Sequence, residues 1–497
     1  MSIDYEAIKT LAKQRSVSVT ELIAMSMNHD PFYMGKPSDI AAAEWFGDIW
    51  QRFGFTRGVH LRRIHYRLVS QREPVRLWFE NKPYENTVNC WTNLMEAAGQ
   101  ARYLDRADFG DFVDQRNPDA SLHTPPEPEP VQIEYLDATA GALDNYTPSL
   151  PSALYSVPVL WTPRVPAVPT VLIGNFTGQQ RYHLEIWAEK STMNDVLLGV
   201  CYQYRANLMT ANGELSITQV HDAAQRIIAS GKPARIFYLS DFDPAGRHMP
   251  VSAARKLEWF VSSAHSPLAV QLADADIRVR QVVLTQAQCV EYALPRTPIK
   301  DSDRRRGTFE ARYGDGATEL DALEALHPGQ LAAIMRAALR PYWDTGLETR
   351  VLHAWSEAEQ EIRERLHAVV RPHHEDMNAI RDEYDRLHAD YIPQLNALAA
   401  EFAPRLRALN ERYAPEGERL NTQWRERLEE MLEDIREDAE KIDPDEYPIP
   451  EAEEADEDEE ADEDEDDALY DSVRDYDEQL DAYKAFQGRG DAGGDGE

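Results

Sequence analysis

The hexapeptide Asp241-Phe242-Asp243-Pro244-Ala245-Gly246 places two carboxylates one residue apart at the end of the apolar run "ARIFYLS". In extended chain, positions i and i+2 face the same way, so Asp241 and Asp243 present their carboxyls together while Pro244 and Gly246 turn the chain away. Aspartate, proline and glycine are also ordinary turn formers after a strand, and alone this peptide reads equally as a surface turn. A metal site needs a partner, and Glu189 offers one at the end of a second apolar run, "RYHLEIWAEK". Three oxygen donors of this kind suit a hard cation such as Mg²⁺, which keeps waters and is commonly held by one or two carboxylates together with substrate phosphate. Metal-assisted phosphate-ester chemistry follows from that donor set.

A second constellation is "HLRRIHYRLVSQ", where Arg62 and Arg63 precede Tyr66 by four and three residues and so share its face of a helix. A phenol ionises near pH ~10, so attack on phosphorus by Tyr66 benefits from neighbouring cations, with His65 beside it as a proton acceptor. The alternative is a tyrosine packed into a core, with the arginines simply binding phosphate. Arg57, Arg62, Arg63, Arg67, Arg72 and Arg76 make this region locally basic, and "KDSDRRRGTFEARYG" adds Lys300, Arg304, Arg305, Arg306 and Arg312. Such clusters suit the backbone of double-stranded DNA, whose phosphates supply most non-specific affinity. "TELDALEAL" brings Glu319 and Asp321 as further metal ligands or as acids at a helix start.

The elements that must position these groups are legible in outline. Residues 170–345 alternate strand and helix patterns in the order strand, helix, helix, strand, helix, strand, which implies a parallel sheet with crossover helices. In such a sheet the carboxyl ends of strands meet at one edge, so Glu189 and the Asp241/Asp243 pair converge although distant in sequence. Residues 1–121 are mostly helical, and 122–169 form a proline-rich connection. Residues 346–442 read as long helices, with Pro393, Pro404 and Pro415 expected to kink or break them into a helical hairpin or broken coiled coil.

The net charge of −36 argues against a nucleic-acid partner only until its distribution is considered. Residues 443–497 hold 25 Asp and Glu against three basic residues, which leaves −14 for the rest of the chain. This tail is expected to be disordered, either as a solubilising segment or as a DNA mimic competing for a basic groove. Three separated cysteines indicate neither a disulfide framework nor a zinc site, which fits a reducing cytoplasm. No apolar run is long enough to span a membrane, and the N-terminus lacks the apolar core of a secretory signal.

The ordered combination of strand, Glu-Lys, helix pair, strand and Asp-X-Asp-Pro-X-Gly resembles the Toprim domain of type II topoisomerases, primases and overcoming-lysogenization-type nucleases. Among these it is most similar to the A subunit of topoisomerase VI and the meiotic double-strand-break initiator, over about 170 residues. The resemblance implies Mg²⁺ at Glu189, Asp241 and Asp243. Those proteins carry a winged-helix domain before Toprim, with a nucleophile in a pattern close to Arg-X-Ile-Tyr-Tyr. Here Arg62, Ile64 and Tyr66 match it, and His65 replaces the first tyrosine. The stretch "YENTVNCWTNLMEAAGQARYLDRADFGDFVDQR" further resembles standalone topoisomerase mini-A proteins of phages and bacteria.

The fold expected is thus α/β and α: a winged-helix-like N-terminal domain, a Toprim domain with a parallel sheet, long C-terminal helices and a disordered acidic tail. The function implied is Mg²⁺-dependent DNA cleavage by tyrosine transesterification, in which Tyr66 attacks, Arg62, His65 and Glu189 assist, and Arg63, Arg67, Arg304, Arg305 and Arg306 hold DNA. A homodimer acting in a bacterial or phage-infected cytoplasm is implied. No GxxxxGK[ST] sequence is present, so any ATP-driven step requires a separate ATPase subunit. The competing readings are a hydrolytic Toprim nuclease, as in the Wadjet plasmid-defence system, and a non-catalytic DNA-binding partner protein.

Overall fold

The computed structural model describes residues 3–114, 117–126, 128–136, 165, 170–301, 303–399, 403–452 and 468–488. The chain forms two compact units: Met1–Glu127 with Gln180–Asp344 and Glu453–Glu497, and Pro128–Gln179 with Thr345–Ala452. In the second unit β1 (Gln132–Leu136) and β2 (Thr170–Gly174) pair antiparallel. The first ten residues of the expected 170–345 region therefore belong to this second unit, and most of the proline-rich connection lies outside the described residues.

The first unit begins with α1 (Tyr5–Arg15), α2 (Pro37–Arg52), α3 (Leu61–Val69) and α4 (Val88–Tyr103). Side chains cap them: Asp4 accepts from the Ala7 amide, His60 from that of Arg62, and Thr87 from that of Cys90. Phe46, Ile64, Leu68, Leu94, Ala97 and Ala98 form a common core for α2, α3 and α4. Between α3 and α4 the chain doubles back, with Leu77 and Tyr84 amides bonding Lys82 and Val75 carbonyls.

The centre of this unit is a five-stranded sheet in the order β4-β3-β5-β6-β7, comprising β3 (His183–Ala188), β4 (Asn207–Thr210), β5 (Ala234–Leu239), β6 (Ile277–Val283) and β7 (Tyr470–Asp471). The first four are parallel and β7 is antiparallel. Between them run α5 (Asn194–Tyr204), α6 (Ile217–Ser230) and α7 (Met249–Ser262); α8 (Gln286–Glu291), α9 (Arg306–Tyr313), α10 (Leu320–Leu326) and α11 (Gln330–Leu339) follow β6. Alternating side chains feed two cores: Trp187, Ile236 and Tyr238 pack with α6 and α7 on one face, and Ile186, Phe237 and Leu239 with α5 and α11 on the other. Every position of β3 and β5 is buried, which is why both read as nearly continuous apolar runs.

In the second unit, α12 (Leu347–Ala399) and α13 (Ala403–Glu440) form a helical hairpin. Pro372 and Pro393 lie inside α12 and Pro415 inside α13, so neither Pro393 nor Pro415 ends its helix. Pro404 stands in the first turn of α13, where its missing amide has no intrahelical partner to lose.

The tail expected to be disordered is corrected at residues 468–488, while its most acidic run, residues 453–467, lies outside the described residues. β7 extends the sheet, pairing Arg278 with Asp471 and Val279 with Tyr470, and α14 (Tyr476–Gln487) buries Leu480 and Tyr483 in the core shared with α6 and α7. The acid count of residues 443–497 masks this apolar period: Leu469, Tyr470, Leu480 and Tyr483 recur inside a segment whose average composition is that of a solvated chain.

A candidate acidic centre and an exposed tyrosine

β3 and β5 are adjacent and in register, with Ala188 opposite Leu239, so the residues that follow them emerge side by side. The Glu189 amide donates to the Leu239 carbonyl at 3.0 Å, and the Asp241 amide to Glu189 Oε2 at 3.2 Å. Glu189 and Asp241 are 7% and 4% exposed, and this burial governs their electrostatics. Burial, reinforced by the negative charge of Asp241, pushes the Glu189 carboxyl up to about 7. Asp241 is also raised by burial, opposed by its bonds from Lys190 and from the Leu320 amide.

Lys190 is the cation this arrangement draws in. Its Nζ lies 2.5 Å from Asp241 Oδ2, bonds Glu319, and is 3.7 Å from Asp321 Oδ2. Burial disfavours its charge, but the bonds to Asp241 and Glu319 prevail and hold the ammonium above the ordinary lysine range. Phe242 and Thr318 exchange backbone bonds of 2.9 and 3.0 Å, bringing Glu319 and Asp321 to the edge of the centre. The Leu320 amide donates to Asp241 Oδ1 at 2.8 Å.

The turn itself explains the Pro-Ala-Gly signature. A Cβ at position 246 would lie 1.9 Å from the Asp241 carbonyl oxygen, so only glycine lets the chain fold back this closely. The Gly246 amide donates to Asp243 Oδ1, which ties the second aspartate into the turn. Glu189 and Asp241 are therefore brought together directly, with Asp243 in the turn beside them. Among the described residues no three His, Cys, Asp or Glu side chains are gathered as a ready metal cluster. The donor set is nonetheless all-oxygen, which fits a hard cation, and the Lys190 ammonium is its competitor for Asp241 Oδ2.

Tyr66 is exposed on α3, together with Arg62, Arg63 and Arg67, while Ile64, His65 and Leu68 face inward. It borders a cavity of about 330 Å³ with Arg62, His65, Asn86, Val88 and Trp91, and no acid of the β3–β5 edge lines that cavity. The expected role of His65 as proton acceptor is not supported by its bonding. His65 Nδ1 is 2.7 Å from the Tyr84 hydroxyl and Nε2 is 3.2 Å from Asn86 Oδ1. The amide oxygen can only accept, so Nε2 donates to it. Burial holds the Tyr84 phenol well above its ordinary range, so its hydroxyl keeps the proton it gives to Nδ1. With both nitrogens engaged, His65 positions α3, and its ring meets that of Tyr66 edge-on at 5.2 Å.

The basic clusters differ in what they present. Arg62, Arg63 and Arg67 are exposed, with the Arg67 guanidinium 5.4 Å from the Phe53 ring centre. Arg304 is exposed too, but Arg305 is paired with Asp303 and Arg306 with Asp301 and Glu310. The second cluster therefore offers less free charge than its sequence indicates.

Sequence reasoning missed Lys190 as the bridging cation, although it stands directly after Glu189 in the chain. It also missed Tyr84 and Asn86, whose only signal was proximity to the tyrosine helix after a turn. Glu185, in the middle of β3, is fully buried and belongs to a separate structural network: Arg226 grips it at 2.8 and 3.0 Å, and Trp187 Nε1 donates at 2.6 Å. Compared with known proteins, the chain matches no family model and no curated protein.

Proposed function

We propose that this chain is a Mg²⁺-dependent DNA-cleaving protein with a Toprim-like acidic centre and a winged-helix-like tyrosine domain, acting by transesterification in the manner of the topoisomerase VI A subunit. The observation that carries the reading is the convergence of Glu189 with Asp241 at the carboxyl edge of adjacent parallel strands, with Asp243 locked in the following turn. Glu189, Asp241 and Asp243 would hold the cation, with Glu319 and Asp321 close by. Bound there, Mg²⁺ would supply electrostatic stabilisation of charge developing on the phosphate.

The chain's own part is to deliver the nucleophile and the DNA. In the proposed step, Tyr66 Oη forms a bond to phosphorus as the bond from phosphorus to one deoxyribose oxygen breaks. The phenolic proton leaves to solvent, since His65 is engaged, and the departing sugar oxygen takes up a proton. Arg62, beside Tyr66 in the same cavity, supports the incoming phosphate, while Arg63 and Arg67 contact neighbouring phosphates. A homodimer would let the tyrosine of one chain meet the acids of another and so cut both strands. No helix among the described residues is long and apolar enough to cross a membrane.

A second reading is favoured by one observation: the cavity at Tyr66 contains none of the acids. On that reading the acidic centre hydrolyses DNA alone, and the α3 face only binds it. Incubation of wild type, Asp243→Asn and Tyr66→Phe with supercoiled plasmid and Mg²⁺ separates the two. Transesterification predicts cleavage lost in both variants; free-ended cleavage that persists in Tyr66→Phe supports hydrolysis, and metal-independent cleavage contradicts both.

A further inference from the structure

We propose that Phe486, in the last turn of α14, is a positioning residue for the acidic turn, acting through Arg247. The inference rests on the metal-binding role proposed for Glu189, Asp241 and Asp243. A relay of side-chain and main-chain groups runs from one to the other. The Phe486 ring lies 3.6 Å from the Arg247 guanidinium, and the Phe486 carbonyl accepts from Arg247 Nη2 at 2.8 Å. Arg247 Nη1 donates to Gln281 Oε1 at 2.7 Å, and Gln281 Nε2 donates to Ser240 Oγ at 2.9 Å. Ser240 Oγ donates to the Gly246 carbonyl at 2.8 Å, and the Gly246 amide donates to Asp243.

Three features make this more than packing. Arg247 follows Gly246 directly, so its backbone is the end of the turn whose carboxylates matter. Its guanidinium has two faces of support, Phe486 and the Tyr313 ring at 5.8 Å, and is held by the C-terminal segment on one side and β6 on the other. The end of α14 is also fixed closely: Gly488 is left-handed at φ +78°, and a Cβ there would lie 1.7 Å from Arg312 Nη1 on α9. The C-terminal residues therefore brace the acidic turn, and their absence would leave Arg247 without its ring and without one of its acceptors. Groups bonded directly to a metal's ligands typically change affinity by roughly ten- to a hundredfold when removed, and Phe486, which acts on such a group from further along the relay, belongs at the lower end of that range.

The test follows Mg²⁺ binding by the full-length protein through its thermal shift, in a titration begun from chelator. Phe486→Ala, a half-buried position, is expected to raise the Mg²⁺ midpoint roughly tenfold, while Phe486→Tyr, which keeps the ring, restores it. Arg15→Ala serves as the control, since it removes the 2.7 Å bond to Asp477 at the other end of α14 and leaves the relay intact. It is expected to leave the midpoint unchanged. An unchanged midpoint in Phe486→Ala, or an equal shift in Arg15→Ala, overturns the positioning role while leaving the metal site standing. A wild-type Mg²⁺ response that survives Asp243→Asn overturns the metal site, and the relay with it.

Discussion

Replacing Glu189 with glutamine should stabilise the metal-free protein, and by an amount that depends on pH. The Glu189 carboxyl is pushed from its ordinary 4.5 up to about 7 by burial and by Asp241. A carboxyl whose pKa is higher folded than unfolded contributes stability that is fully present below the unfolded value and is lost as pH rises through the folded one. A rise of this size corresponds to about 3 kcal/mol in the ionised state, an upper figure for a site that relaxes or admits water. Glu189→Gln keeps the shape and the oxygen that accepts from the Asp241 amide but carries no charge. Urea unfolding in chelator should therefore show the variant more stable than wild type by about 1–3 kcal/mol at pH 8, and by well under half of that at pH 5. Mg²⁺ should reverse the order at pH 8, because the ionised wild-type carboxylate gains a partner and the amide does not. A variant no more stable than wild type at pH 8 would show that burial and Asp241 do not raise the Glu189 carboxyl.

Other substitutions probe the remaining links. His65→Ala removes a buried and a half-buried bond and leaves the Tyr84 hydroxyl unpaired, so denaturant unfolding should register a loss of about 2 kcal/mol. Tyr66→Phe removes only the hydroxyl of a side chain whose residue is 62% exposed, and should leave the melting temperature within about a degree of wild type. Gly246→Ala forces a methyl into the Asp241 carbonyl, and calorimetry should show Mg²⁺ binding abolished even where the protein remains folded. Arg63→Ala and Arg67→Ala should each weaken binding to unrelated DNA sequences alike and lower the salt dependence of log K by about 0.9 for each phosphate that is no longer neutralised.

The acidic edge was legible because its signals are local and redundant. Two buried parallel strands read as apolar runs, and each ends in an acid followed by a helix or turn signature. β4 escaped notice because "NLMT" is too short to show a period, and it is fixed by pairing with β3 rather than by propensity. β7 and α14 were hidden by charge: the acids surrounding Leu469, Tyr470, Leu480 and Tyr483 dominate any average, yet those four side chains bury themselves in a core made by distant residues. Pro393 and Pro415 do not break their helices for a related reason, since the remaining interactions of each long helix outweigh one missing bond, and the expected helical hairpin forms around them. Residue type likewise could not say that His65 is bonded on both nitrogens, because its partners lie across a turn and are chosen by tertiary packing.

Capture of the covalent intermediate tests the central claim most directly. Wild-type protein would be incubated with end-labelled supercoiled DNA and Mg²⁺, denatured, digested with nuclease and protease, and the modified peptide sequenced by mass spectrometry. The account predicts a deoxynucleotide phosphate ester on Tyr66, absent from Tyr66→Phe and from reactions containing chelator. DNA cleaved in the same reactions with Tyr66 unmodified would contradict it.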